Sequence, residues 1–233
     1  LEAVFLASKG KSWRTAKPAN LINNNSEVTR VVMTGAQDYL NRSMSLMRAV
    51  DQAGSPTIRR KVVVDGVESA RLSRQNHIPV VIFTPDHLKL IAGSPTIRRE
   101  FLDGLAEWLN PAAAKNQKDF QRALLQYTKL LQLNGRPGQD EVFVWHMRLA
   151  ATGAQLVKDR LKVIEMLSVG LSEAYSKLAA KEHKVELSYQ TSLDSQNYGS
   201  DLLKELSRGL VKDLSRGVVG AGPHRDDMTI ELD

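Results

Sequence analysis

Residues Pro79 to Asp103 read Pro-Val-Val-Ile-Phe-Thr-Pro-Asp-His-Leu-Lys-Leu-Ile-Ala-Gly-Ser-Pro-Thr-Ile-Arg-Arg-Glu-Phe-Leu-Asp, and within them one pattern of chain gives way to another. Val80 to Phe83 is apolar throughout, which suits a strand buried on both faces, and Thr84-Pro85-Asp86 stops it. Ser94 then supplies an N-cap and Pro95 the first helical position, where a missing N–H costs nothing. Ile97, Phe101, Leu105 and Trp108 follow on one helical face. The chain before this stretch therefore reads as sheet and the chain after it as helix.

Working outward, residues 26–92 alternate β-rich runs with turns. Val28 to Met33 and Lys61 to Val64 are expected strands, and Val64-Asp65-Gly66-Val67 is a hairpin signal because Asp-Gly supplies the positive φ angles of a two-residue turn. On the other side, Asn110-Pro111 ends the first helix. A second helix carries Phe120, Leu124, Tyr127 and Leu131, and Asn134-Gly135-Arg136-Pro137-Gly138 is a loop. A third helical stretch, Asp140 to Ala180, carries Val157, Leu161, Ile164, Leu167, Leu171, Tyr175 and Leu178. Such a stripe packs on a neighbour, and a helical-bundle core is preferred to a ligand-binding face. Residues 183–190 return to strand, 199–216 to helix, and Met228 to Leu232 to strand. Sheet, helical insert and return to sheet give an α/β (α+β) chain.

Composition narrows the classes. The 233 residues hold 32 Lys and Arg against 26 Asp and Glu, a net charge of +6, with 42% hydrophobic residues and no cysteine. These are values of a globular chain. The absence of cysteine excludes a disulfide scaffold, a Cys-ligated zinc site and a thiol nucleophile. No apolar run approaches the roughly 18 residues of a membrane span, and Leu1 to Ala7 has no basic leader, reading instead as a helix cut open. The charge permits a polyanionic partner, but Lys and Arg are spread along the sequence.

Several familiar motifs fail on inspection. Gly10-Lys11-Ser12 resembles the end of a P-loop, yet Phe5 stands where its first glycine is required. His224-Arg225-Asp226 resembles a kinase catalytic loop, yet Glu231 stands where the metal-binding Asn belongs. The five histidines show no zinc spacing, and no Gly-x-Ser-x-Gly elbow is present. Two clusters remain. Arg98 and Arg99 lie in the first turn of a helix, against the preference of its dipole, which points to a phosphate or a protein carboxylate. The plainer alternative pairs them with Glu100 or Asp103 or leaves them solvated. Gly222-Pro223-His224-Arg225-Asp226-Asp227 sets four polar side chains before a strand, either as a salt-bridged strand entry or as a site at a sheet edge. In addition, Ala53-Gly54-Ser55-Pro56-Thr57-Ile58-Arg59-Arg60 recurs identically at Ala92 to Arg99, with different flanks.

Taken together, these clusters resemble the RecF family of bacterial recombination-mediator ATPases. Leu1 to Thr15 is similar to the helix following that family's P-loop and its Gly-Arg/Lys-Ser-aromatic-Arg continuation. Val81 to Asp103 is similar to its Phe-Ser/Thr-Pro segment and its Pro-x-x-Arg-Arg-x-Phe-Leu-Asp, and Gly222 to Asp227 matches a specific family motif. The second octapeptide lies inside a family motif, which makes the copy at 53–60 the intruder. The resemblance implies an ABC/SMC-like ATPase head with an inserted all-helical lobe: residues 1–92 and 217–233 as head, 93–216 as lobe. It also implies ATP and Mg²⁺ as cofactors, ATP-dependent homodimerisation, and cytoplasmic work in DNA repair, recombination and the damage response. Its partners would be single-stranded and gapped duplex DNA and other mediator proteins, with the strand-exchange recombinase delivered to the gap. By the same resemblance Ser12, Arg14, His224, Arg225, Asp226 and Asp227 lie near the nucleotide, and Arg98 and Arg99 are phosphate or structural candidates. The family's P-loop would precede Leu1, and its signature motif and Mg²⁺-binding strand would follow Asp233. The chain is thus expected to be a central piece, inactive in ATP turnover as it stands. The alternatives are an ABC-type head of another function and a non-enzymatic helical interaction module.

Overall fold

The computed structural model describes residues 1–35, 41–133 and 137–233. They form two compact units, Leu1–Phe83 and Thr84–Asp233.

In the first unit, α1 (Glu2–Lys9) packs beside a four-stranded antiparallel sheet of β1 (Val28–Met33), β2 (Arg42–Val50), β3 (Pro56–Val64) and β4 (Val67–Ser69), in the spatial order β1-β2-β3-β4. Leu6, Met44, Val62 and Val64 form its core. The β3–β4 hairpin is the one expected: Val64 faces Val67 and both central residues have positive φ, 48° at Asp65 and 83° at Gly66. β2 was not among the expected strands, although it is the centre of the sheet. Its signal is the alternation Arg42, Met44, Leu46, all buried, with smaller or polar residues between. The buried Arg42 masks that period because it reads as polar. Its Nη1 donates to the carbonyls of Ala7 and Asn76, while its buried Nε has no hydrogen-bond partner among the described residues.

The expected strand at Val80–Phe83 is absent. Residues 77–84 have no regular secondary structure, and Val81 and Phe83 are 90% and 79% exposed. An apolar run states a preference for burial, whereas a strand also needs a neighbouring ladder to take its N–H and C=O groups, and no described strand pairs there.

In the second unit, α2 (Lys89–Ala92) and α3 (Pro95–Leu109) are followed by three long helices, α4 (Ala113–Leu131), α5 (Gln139–Ser168) and α7 (Tyr198–Arg216), with a short α6 (Leu171–Ala179). Phe120 and Tyr127 of α4, Leu149 and Leu156 of α5, and Leu202 and Leu206 of α7 meet in one core. A second core joins α3 and α5 to a two-stranded antiparallel sheet of β5 (Val185–Gln190) and β6 (Asp227–Leu232), through Leu102, Ala106, Val163 and Met228. The residues buried on α3 are Leu102 and Ala106. Trp108, placed on the inner face by spacing, is 49% exposed. The single helix expected over 140–180 is two: Gly170 takes φ 78°, a conformation open to glycine, and the chain turns there. Of the expected loop at 134–138, residues 134–136 lie outside the described residues, and Pro137 and Gly138 lead irregularly into α5.

The duplicated octapeptide shows how weak local sequence is against its surroundings. Pro56 to Arg60 lies in β3, paired along β2, whereas Pro95 to Arg99 is the first turn of α3. Propensity differences are tenths of a kcal/mol per residue, so the partner each copy packs against decides. Among the described residues no helix is long and apolar enough to cross a membrane.

Leu102 is fully buried where α3 meets the sheet. Leu102→Ala should lower the unfolding free energy by about 2–5 kcal/mol in urea titrations followed by far-UV circular dichroism; a loss under about 1 kcal/mol would mean that this contact is not a core contact.

Candidate functional site

The two clusters singled out by sequence, more than a hundred residues apart, meet in the second unit. The first turn of α3 faces the start of β6. There Arg98 holds Asp227 with two parallel hydrogen bonds, Nε to Oδ1 at 2.8 Å and Nη2 to Oδ2 at 2.7 Å, while its Nη1 donates to the Gly93 carbonyl at 2.9 Å. This fork is the stronger kind of arginine–carboxylate pair, and it holds the Asp227 carboxyl below its usual range. Arg99 donates from Nη1 to the Asp226 carbonyl at 2.8 Å and from Nη2 to Thr96 Oγ1 at 3.0 Å. Neither pairs with Glu100 or Asp103.

Behind this pair lies a deeper layer that sequence reading missed. Arg160, in the middle of α5, is 3% exposed and forks onto Asp103 of α3 at 2.7 and 3.0 Å. Its Nη1 also donates to the Pro223 carbonyl at 2.7 Å and to the Tyr189 hydroxyl at 3.2 Å. Asp226, likewise buried, accepts from the hydroxyls of Tyr198 at 2.6 Å and Tyr189 at 2.9 Å. Burial pushes its carboxyl up against the pull of those phenols. A signal for Arg160 existed: it falls three residues after Val157 and four before Ile164, on the apolar stripe of α5, where a cation must have a partner.

His224 and Arg225 complete the turn. His224 Nε2 donates to the Val219 carbonyl at 3.0 Å, leaving Nδ1 as an acceptor that is buried with no protein partner. Burial pushes this imidazole down to about 4, so it is neutral at physiological pH. Arg225 is exposed and also donates to Val219. Gly222 must remain glycine, since its φ is 128° and a Cβ would stand 3.3 Å from the His224 ring. Asp226 and Asp227 are thus engaged inside the fold, and Arg225, though exposed, is tied to the Val219 carbonyl. Among the described residues no three His, Asp or Glu side chains are placed to share a metal ion.

Ser12 and Arg14 lie in the first unit. Ser12 donates to Glu2 Oε1 at 2.6 Å and accepts from the N–H groups of Arg14 and Thr15. Arg14 pairs with Glu2 at 3.1 Å but is largely exposed. They border an open pocket of about 440 Å³ that also takes in Lys11, Trp13 and Arg60. Three cations and a hydroxyl on one rim suit an anionic group.

The fold, a small antiparallel sheet unit followed in sequence by a helical lobe that closes on a two-stranded sheet, is also that of solved RecF structures. The solved structures titled "Structure of the recombination mediator protein RecF-ATP in RecFOR pathway" and its RecF-ATPrS counterpart each superpose with a TM-score of 0.77 at 23% identity, over 99% of this chain and 62% and 63% of theirs. In sequence the chain is 27% identical to the DNA replication and repair protein RecF of Lactobacillus acidophilus and 28% identical to that of Geotalea uraniireducens, over its full length and 63% of each relative. No protein-family model matches it. Sequence and fold are thus similar to those of RecF proteins along the whole of this chain, which spans a little under two thirds of the length of the curated relatives it matches.

The neutral, half-buried His224, whose Nδ1 is fully enclosed, makes stability depend on pH. Its folded pKa lies below the ordinary 6.5, so the unfolded chain binds the extra proton first. The contribution is complete above pH 6.5 and is lost as pH falls toward 4. His146, also lowered by burial, acts in the same sense, and Asp226 in the opposite one. Urea midpoints should therefore fall between pH 7 and 4.5, and His224→Gln should remove on the order of 2 kcal/mol of that fall. An unchanged pH profile in the variant would contradict the burial of this ring.

Proposed function

We propose that the chain is part of an ATP-dependent, DNA-binding factor of recombinational repair and replication that helps deliver a strand-exchange recombinase to gapped DNA. The observation that carries this reading is the full-length similarity to RecF proteins, joined to the meeting of the family's Arg-Arg and His-Arg-Asp-Asp segments in one contact. On this reading residues 1–92 and 217–233 belong to the ATPase head and 93–216 to its helical lobe. The whole protein would work in the cytoplasm as an ATP-dependent homodimer with other mediator proteins, on single-stranded and gapped duplex DNA.

Within this chain Ser12 and Arg14 are the residues proposed to meet the nucleotide. Bound ATP and Mg²⁺ would supply phosphoryl chemistry through phosphate and metal contacts. Lys11, Arg14 and Arg60 would add positive charge beside the phosphates, and Ser12, held by Glu2, would keep that loop in shape. Arg98, Arg99, Asp226 and Asp227 act in this scheme as positioning residues, because their polar atoms are taken by one another and by the backbone around them.

Binding of the 233-residue chain to a fluorescently labelled gapped duplex tests the proposal. Affinity should fall steeply between about 50 and 200 mM salt, since each neutralised phosphate releases counterion. Absence of binding, or binding indifferent to salt, would contradict it.

A further inference from the structure

We propose that the outer face of α4 is a docking surface for the phosphate backbone of duplex DNA; the inference rests on the DNA-binding reading above and names the surface. Lys115, Lys118, Arg122 and Lys129 are all exposed on this helix. At 3.6 residues per turn, their spacings of 3, 4 and 7 put them within an arc of about 60°, and at 1.5 Å per residue the row is about 21 Å long. It is a straight cationic stripe, invisible in a composition that spreads Lys and Arg over the whole chain.

What sets this stripe apart is how few carboxylates share its helix. α7 sets three carboxylates against its four cations and pairs Lys204 with Asp201 and Arg208 with Glu205, and on α6 Lys177 pairs with Glu173. On α4 none of the four has a hydrogen-bond or ion-pair partner among the described residues. The helix has a single carboxylate, Asp119, which lies about 40° outside the arc and pairs with none of them. Four positive charges against one negative leave α4 at +3, and like charges three and four residues apart cost stability. A fold that keeps them aligned and unpaired is matched by a ligand with negative charges in a row. Duplex DNA presents about one such charge per 1.7 Å of its axis.

The stripe favours duplex over single strand. Proteins that track single strands set aromatic rings between their cations so that bases can stack. The aromatic residues of α4, Phe120 and Tyr127, are instead 3% and 0% exposed in the helical core. The surface residues between the cations are Gln121, Leu125 and Gln126, which offer no stacking platform. The expected contact is with backbone phosphates, independent of base sequence.

The test compares the full chain with Lys118→Ala/Arg122→Ala/Lys129→Ala, with the charge-keeping Lys118→Arg/Arg122→Lys/Lys129→Arg, and with Lys204→Ala/Arg208→Ala on α7. Each is titrated with a labelled 20-base-pair duplex and with the same single strand over a series of salt concentrations. All altered side chains are exposed, so the thermal unfolding midpoint, which serves as the folding control, should not fall and in the first variant should rise slightly as like charges are removed. The first variant should lose about 2 to 3 from the slope of log K against log salt, with the larger affinity loss on duplex. The charge-keeping variant should behave as the parent, and the α7 variant should change the slope by less than about 1. Duplex binding by the parent with an unchanged slope in the first variant would overturn the stripe while leaving the DNA reading intact. A loss confined to the single strand would overturn the assignment to duplex. Absence of DNA binding by the parent would overturn the DNA reading and the stripe with it.

Discussion

A single buried cation sets the terms for the second unit. Arg160 lies among apolar side chains of α5, and its guanidinium cannot be left bare in that surrounding. Its donors go to Asp103 on α3, to Tyr189 on β5 and to the Pro223 carbonyl in the turn before β6. Two helices, a strand and a turn are therefore held in one arrangement by the hydrogen-bonding geometry of one side chain. Hydrophobic burial supplies the attraction between these elements, but it is non-directional. The fork adds direction. The Arg98–Asp227 pair and the Arg99 contact to the Asp226 backbone lie just outside it and fix the start of α3 to the start of β6.

This explains why so polar a segment as His224 to Asp227 can begin a strand. Asp226 is buried under two phenols, Asp227 is neutralised by Arg98, and the neutral His224 spends its one N–H on Val219. Of the two readings open from sequence, salt-bridged strand entry and sheet-edge site, the side-chain contacts are those of the first. The geometry itself asks for these residue types: a forked donor at Arg98, a carboxylate at Asp227, and a glycine at Gly222 where φ is 128°.

Much of the fold was legible in the sequence where one force dominated. The Asp65-Gly66 turn, the helix start at Pro95, the stripe of α4 and the alternation of β5 and β6 each follow from a single local rule. Legibility failed where a second partner decided. Val80 to Phe83 has the composition of a buried strand without a described strand beside it. β2 hides its period behind a buried arginine, and the repeated octapeptide is strand in one place and helix in another. The candidate site was half legible: Arg98, Arg99 and Asp226–Asp227 stood out, but that they meet each other is a tertiary fact. Arg160 and the two tyrosines could be found only by asking why polar groups lie on apolar faces. The α4 stripe needed helix boundaries before its four cations could be seen to share a side.

The central claim is that Arg98 and Asp227 act as one structural unit joining α3 to β6. A double-mutant cycle over Arg98→Ala and Asp227→Ala, read by urea unfolding at pH 7, measures that coupling directly. The account predicts a coupling of about 1–3 kcal/mol, with the second substitution costing little once the first is made. Additive losses, with a coupling near zero, would contradict it.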